Sequence, residues 1–135
     1  VGICNGFQIL CEARLLPGAL IANRDLQFIC RPVEVEVTDN DTVLTAGIEL
    51  GTVLTIPLNS YEGQYTDPRG TARIVGRYVE DVNGSQDRAA AAANAAGNVV
   101  GIMPHPERSS EEVLGSADGR HMLESLVAAA ARVPA

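Results

Sequence analysis

Near its start the chain reads Gly2-Ile3-Cys4-Asn5-Gly6, and this stretch decides the fold. Residues 1–5 have the composition of the last half of a buried strand that runs straight into a turn. The two glycines let the backbone bend sharply and leave room above the thiol of Cys4 for a substrate. This spacing is typical of a nucleophile elbow, a strained turn between a strand and a helix, with cysteine in place of serine.

A helix is predicted directly after the elbow, over residues 5–16, and Pro17-Gly18 ends it. Its apolar residues recur at helical spacing, which indicates a mostly buried helix of about three turns. The free N–H groups at the start of this helix are directed at Cys4, where they favour a thiolate and can stabilise an oxyanion. The alternative is a buried turn of small residues with an inert cysteine.

A second reactive group is predicted in the stretch Met103-Pro104-His105-Pro106-Glu107. The prolines favour extended backbone, in which positions two apart project to the same side, so Glu107 is expected beside the imidazole of His105. An isolated pair of this kind is more often a solvated surface loop. However, this stretch follows a buried strand, as Cys4 does, and parallel α/β sheets gather their sites at the carboxyl ends of strands. We therefore predict a Cys-His-Glu triad.

The region between these stretches is predicted to be mainly β-structure. Apolar or alternating runs indicate strands over residues 28–37, 52–57, 73–79 and 98–103, with Pro57 expected to end regular pairing. The alanines at 89–93 favour a helix by propensity, but they follow the turn Asn83-Gly84-Ser85, so we favour a strand. The prediction is an α/β sheet covered by helices, with an antiparallel insertion of hairpins.

Two helix starts are predicted near the end of the chain. Ser109 and Glu112 have the spacing of a capping box for a short helix, and Asp118 is a good N-cap for the last helix. An apolar stripe of the last helix is expected to pack in the core, and it consists of Met122, Leu123, Leu126, Val127 and Ala130.

The composition makes two classes of binding partner unlikely, nucleic acids and membranes. The 135 residues include 17 acidic and 10 basic side chains, and the net charge of -7 repels phosphate backbones and anionic membranes. We therefore expect a soluble, cytoplasmic protein that binds neither nucleic acid nor membranes. Three cysteines indicate reduced thiols, and Cys11 and Cys30 are expected to be packed in the core. The cysteine and histidine spacing does not support a metal site.

The motifs together resemble a known family. The matching stretches are residues 2–13, 15–20, 83–85 and 101–108. They resemble the glutaminase subunits of phosphoribosylformylglycinamidine synthase, which are class I, triad-type glutamine amidotransferases of purine biosynthesis. The similarity covers nearly the whole chain. It implies a flavodoxin-like domain of which residues 1–135 form the C-terminal part, with the N-terminal half missing before Val1.

The resemblance also implies roles for individual residues. Cys4 would be the nucleophile, His105 the acid and base, and Glu107 the residue that orients His105. The backbone N–H of Asn5 would hold the oxyanion, and Ser60, in a stretch that resembles the family's glutamine-side loop, would contact the substrate. Gln8, one helical turn past Cys4, would either hydrogen-bond the substrate or only pack on the helix surface. Glutamine would be hydrolysed without a cofactor in this chain, and ammonia would pass to a synthetase subunit that uses ATP and Mg²⁺, in a complex that can include a small accessory subunit.

The chain departs from the family pattern in two places, and other functions stay open. The glycine-rich loop that supplies a second oxyanion donor would lie before Val1, so these residues alone are expected to be inactive. Tyr61 stands where the family has glycine, in the loop after Ser60. The alternatives are another Cys-His-Glu amidotransferase or glutamyl hydrolase, and a catalytically inactive fragment or binding module.

Overall fold

A six-stranded sheet forms the centre of the computed structural model, which describes residues 1–132. The strands of the described region are β1 (Gly2–Ile3), β2 (Ala19–Ile21), β3 (Ile29–Val37), β4 (Val53–Ser60), β5 (Gln64–Thr66), β6 (Arg73–Tyr78), β7 (Ala89–Ala93) and β8 (Val100–Ile102). The α-helices are α1 (Asn5–Glu12) and α2 (Gly119–Ala130). The order in the large sheet is β1-β8-β7-β6-β3-β4, and β2 pairs with β5 in a separate two-stranded sheet.

The sheet is mixed, as the sequence predicted. β1 and β8 are parallel, with Gly2 opposite Gly101 and Ile3 opposite Ile102. The pairs β8/β7, β7/β6, β6/β3 and β3/β4 are all antiparallel. An antiparallel region is therefore inserted between the first and last strands of an α/β unit, and the predicted fold class is confirmed.

The alanine run forms the buried strand β7, which confirms the choice of strand over helix. Each of its five residues is at most 2% exposed. Ala90 and Ala92 join a core cluster with Phe7 of α1, whereas Ala91 and Ala93 join a second cluster with Met122 of α2. Both faces of the strand are covered, and burial in the sheet outweighs the helix propensity of alanine.

Strand β4 continues through Pro57, so the prediction that this proline ends regular pairing was wrong. Pro57 lies opposite Pro32 of β3, and its carbonyl accepts the N–H of His105 at 2.8 Å, on the side away from β3. In antiparallel strands the N–H and C=O of one residue point the same way. The nitrogen atoms of the two prolines, which carry no hydrogen, therefore point away from the partner strand. The pairing of β3 with β4 loses no hydrogen bond.

Helix α1 ends at Glu12 and not at residue 16, because a Schellman motif closes it. Arg14 takes the left-handed conformation with φ 59°. The N–H of Arg14 donates to the carbonyl of Cys11 at 2.9 Å, and the N–H of Leu15 donates to the carbonyl of Leu10 at 2.9 Å. This is the 5→2 and 6→1 pattern that terminates helices, with arginine in the position that glycine usually takes.

The buried face of α2 differs from the predicted stripe. Its buried residues are Gly119, Met122 and Ser125, whereas Val127 is 69% exposed and Ala130 is also exposed. Ser125 is a polar residue that the pattern assigns to the surface, but its hydroxyl donates to the carbonyl of His121 at 3.0 Å and accepts the N–H of Gly47 at 3.1 Å. Both bonds offset the cost of its burial.

Three further predictions about local structure need correction or refinement. Ser109 does not cap a helix: the segment Glu112–Leu114 is a 3-10 turn with Glu111 before it, and the hydroxyl of Ser109 faces the carbonyl of Pro106. Asp118 precedes α2 as predicted, but its carboxylate accepts the N–H of Thr55 in β4 at 2.7 Å. Cys30 is exposed on β3 and not packed, because the alternation of that strand turns it to the outer face.

Replacement of Gly101 by alanine is expected to destabilise the protein. A methyl group at Gly101 would overlap the ring of Phe7, which is fully buried. We expect Gly101→Ala to lower the free energy of unfolding by about 2–3 kcal/mol, as overpacking of a core does. Urea unfolding of the full-length protein measures this change.

The matched control is Gly76→Ala on β6. A methyl group at Gly76 would meet Val35 Cγ1 at 3.0 Å and Ala91 Cβ at 3.5 Å, so a small shift accommodates it. We expect a change below about 1 kcal/mol, because alanine also reduces the entropy of the unfolded chain. Equal stability of Gly101→Ala and the parent protein would contradict the close packing of α1 on β8.

Candidate active site

Cys4 lies at the strained turn that the glycine spacing predicted. It joins β1 to α1 with φ 52° and ψ -108°, a conformation that costs a residue with a side chain about 1–3 kcal/mol. A methyl group at Gly2 would overlap the carbonyl of Gly6, so glycine at position 2 makes the turn possible. Apart from its chain neighbours and the backbone of α1 itself, no atom of residues 1–132 lies within 4 Å of a methyl group added at Gly6.

The backbone of Cys4 is anchored on both sides. Its N–H donates to the carbonyl of Ile102 at 2.8 Å, and its carbonyl accepts the N–H of Phe7 at 2.9 Å in the first turn of α1. The thiol is half-buried and points to the carbonyl of Asn59 on β4, with a distance of 3.6 Å from Sγ to oxygen. Asn5 is the first residue of α1, where backbone N–H groups have no partner within the helix.

His105 and Glu107 form a short contact. Nδ1 of His105 lies 2.6 Å from Oε1 of Glu107, and His105 is only 8% exposed. Nε2 of His105 is buried and has no hydrogen-bond partner in the described part of the chain. A histidine held by a carboxylate at one nitrogen and free at the other is arranged to accept and donate a proton.

The contact between His105 and Glu107 was predicted correctly, but the extended backbone from which it was predicted was wrong. The segment Pro106–Arg108 is a 3-10 turn and not an extended strand. The turn folds Glu107 back towards the ring of His105, and the N–H of Arg108 donates to the carbonyl of His105 at 3.0 Å. A proline at the first position of a helical turn suits this geometry.

The structure brings Cys4 and the His105 segment to the same edge of the sheet. They follow the parallel strands β1 and β8, which are in register. Both also contact the outer edge of β4, where the carbonyls of Asn59 and Pro57 accept from the Cys4 thiol and the His105 N–H respectively. These two carbonyls belong to residues two apart on one strand, about 7 Å along it.

Gln8 and Ser60 lie beside the loop that follows β4. Nε2 of Gln8 donates to the carbonyl of Glu62 at 2.8 Å, which ties the first turn of α1 to this loop. Ser60 is 4% exposed, and its hydroxyl has no hydrogen-bond partner among the residues described. An added methyl at Gly63 would come within 2.5 Å of that hydroxyl. Tyr61 is 44% exposed and has no positive φ, so its position does not require glycine for backbone conformation.

A buried polar network that the sequence did not reveal holds this loop in place. The side chain of Asn23 donates to the carbonyl of Ser60 at 2.8 Å and accepts the N–H of Gly63 at 3.1 Å. Asn83 donates to the carbonyl of Gly63 at 2.8 Å, and the hydroxyl of Ser85 donates to Asn83 at 2.7 Å. Asn83 and Ser85 stood in a turn motif and in one of the stretches that resemble the family, but neither signal indicated these contacts, and Asn23 carried no signal.

The other two cysteines differ in their surroundings. Cys11 is buried as predicted, and burial, followed by the charges of Asp67 and Glu12, raises the pKa of its thiol to about 11. Cys11 therefore stays protonated at neutral pH, whereas Cys30 is open to solvent. Among residues 1–132, no three His, Cys, Asp or Glu side chains are grouped to hold a metal ion. No helix of this region has the length and apolar character that crossing a membrane requires.

Curated proteins are similar to this chain over almost its whole length. No protein-family model matches it. The phosphoribosylformylglycinamidine synthase subunit PurQ of Rubrobacter xylanophilus is 49% identical over 137 residues, which cover 96% of this chain and 62% of that protein. The subunit of the same name from Novosphingobium aromaticivorans is 45% identical over 134 residues, which cover 94% of this chain and 60% of that protein.

A solved structure agrees with these relatives. The structure of PurLQS from Thermotoga maritima superposes with a TM-score of 0.91 at 45% identity, covering 96% of this chain and 60% of that one. The chain thus spans about three fifths of the length of the proteins that it matches. Over almost its whole length, the chain is therefore similar in sequence and in fold to PurQ subunits of phosphoribosylformylglycinamidine synthase.

Proposed function

We propose that this chain carries the glutaminase chemistry of phosphoribosylformylglycinamidine synthase, the hydrolysis of glutamine to glutamate and ammonia. The observation that supports it most is the His105–Glu107 contact of 2.6 Å, with Nε2 of His105 left free near a strained cysteine elbow. A nucleophile on a tight turn and a base oriented by a carboxylate are the parts that acyl transfer needs.

In the proposed reaction, Cys4 gives its thiol proton to His105 and attacks the side-chain carboxamide of glutamine. The carbonyl oxygen becomes an oxyanion, which the N–H of Asn5 stabilises together with a donor from outside these 135 residues. His105 then protonates the leaving nitrogen, and the C–N bond breaks. Ammonia departs, and a glutamyl thioester on Cys4 remains. His105 next takes a proton from water, which attacks the thioester and releases glutamate with the thiol restored.

The resting geometry sets the first step of this sequence. The Cys4 thiol donates to the carbonyl of Asn59. Once the thiol has lost its proton, the negative sulfur and the partly negative carbonyl oxygen repel each other. The side chain must therefore turn from Asn59 towards Nε2 of His105 before attack. Gln8 and Ser60 flank the loop on the substrate side, where Gln8 would hold the loop and Ser60 would offer its free hydroxyl to glutamine.

We further propose that the protein acts within a complex. Ammonia would pass to a synthetase subunit that consumes ATP with Mg²⁺ and converts phosphoribosylformylglycinamide to the amidine, with a small accessory subunit as a further partner. The chain itself would need no cofactor. We place the protein in the cytoplasm, because its nucleophile must remain a free thiol.

The Cys4→Ser variant tests the nucleophile. In the full-length protein assembled with its synthetase, we expect glutamine-dependent synthesis to fall by roughly 10³-fold or more, because serine is a far weaker nucleophile in this position. Synthesis supplied with free ammonia should stay close to the parent rate. Steady-state assays with each nitrogen source measure both, and retained glutaminase turnover would show that Cys4 is not the nucleophile.

Thiol labelling separates an enzyme from an inactive module. A glutamine-like electrophile should label Cys4 far faster than Cys11 or Cys30, and glutamine should protect it. Iodoacetamide, which does not resemble glutamine, should label the exposed Cys30 readily and the buried, protonated Cys11 slowly. Peptide mass spectrometry measures each rate. If the glutamine-like reagent merely follows exposure, with Cys30 first, the site does not recognise glutamine.

A further inference from the structure

The first turn of α2 is docked on the loop that carries His105 and Glu107. The N–H of Gly119 donates to the carbonyl of Ser109 at 2.8 Å, and Nε of Arg120 donates to the carbonyl of Ser110 at 2.9 Å. These two carbonyls directly follow the 3-10 turn that contains Glu107. The helix thus holds the end of the loop on its C-terminal side.

Gly119 is the point of closest approach. It is buried, and a methyl group added there would overlap the carbonyl of Pro106 and lie 2.6 Å from the hydroxyl of Ser109. Gly119 does not have a positive φ, so the position requires a small residue for space and not for backbone conformation. Pro106 stands between His105 and Glu107, and its carbonyl lies in the peptide plane that it shares with Glu107, so a shift of this carbonyl displaces the backbone of Glu107.

The residue before Gly119 fastens the helix to the same strand that holds His105. The carboxylate of Asp118 accepts the N–H of Thr55 at 2.7 Å, and two residues further along β4 the carbonyl of Pro57 accepts the N–H of His105 at 2.8 Å. Strand β4, the His105 loop and the start of α2 therefore form a closed ring of contacts. Both ends of the loop are fixed relative to one strand edge.

We propose that Gly119 is a positioning residue for the His105–Glu107 pair, with Asp118 as its anchor on β4. This inference rests on the proposed function. The atoms nearest to a methyl group at Gly119 belong to Pro106 and Ser109, so Gly119 acts by letting α2 approach the carbonyl of Pro106. The ring keeps the imidazole in place while its protonation changes during the reaction, and such preorganisation strongly affects rate.

The Gly119→Ala variant of the full-length protein, assembled with its synthetase, tests this role. We expect kcat for glutamine hydrolysis to fall roughly 10- to 100-fold, because displacement of catalytic groups by about 1 Å has effects of this size. The KM for glutamine should change little, since Gln8 and Ser60 lie on other elements. Ammonia-dependent synthesis should stay at the parent rate, and the downfield Nδ1 proton resonance of His105 should shift or disappear.

The matched control is Gly47→Ala. A methyl group at Gly47 would approach the hydroxyl of Ser125 at 3.0 Å and press on the middle of α2, away from the loop. This variant should keep the parent kcat and the His105 resonance. If Gly119→Ala does not fold, Asp118→Ala removes the anchor without a clash, and it should lower kcat roughly 3- to 10-fold with the same change in the resonance.

The outcomes distinguish this inference from the function on which it rests. Parent values of kcat and of the His105 resonance in a folded Gly119→Ala or Asp118→Ala variant would overturn the positioning role. If the parent protein hydrolyses no glutamine, the proposed function fails. The resonance then still reports whether Gly119 holds the His105–Glu107 pair.

Discussion

The parallel pairing of β1 with β8 is the contact on which the site depends. Parallel strands in register end at the same edge of a sheet, so the residues that follow them meet there. The hydrogen bond of 2.8 Å from the Cys4 N–H to the carbonyl of Ile102 continues this pairing by one residue. Because Gly101 admits the ring of Phe7, α1 packs directly on β8 and the elbow keeps its angle.

The outer edge of β4 supplies the second constraint. At alternate residues it accepts the thiol of Cys4 and the N–H of His105, and it donates the N–H of Thr55 to Asp118. An unpaired strand edge usually invites association with another strand. Here the edge is occupied by the site itself, and Pro57 contributes an acceptor without a competing donor. The prolines and the elbow thus belong to one arrangement, although they lie far apart in sequence.

Local chemistry explains what the sequence predicted. The elbow and the His105–Glu107 pair each depend on residues close in sequence, where steric and turn preferences act directly. The alanine strand was predicted from the turn that precedes it, against the helix propensity of alanine. Some errors had local causes, such as the left-handed Arg14 that ends α1, but others came from contacts between distant segments. Pro57 pairs because of its place at a sheet edge, Ser125 is buried because Gly47 satisfies it, and the Asn23 network depends on three separate loops. No short-range pattern encodes such contacts.

Detection of the covalent intermediate tests the central claim most directly. Full-length protein is incubated with isotopically labelled glutamine, quenched in acid during turnover, digested and examined by peptide mass spectrometry. The proposed mechanism predicts a glutamyl thioester on the peptide that contains Cys4, present during turnover and lost when glutamine is exhausted. Turnover of glutamine with no adduct on Cys4, or with an adduct on another residue, would contradict it.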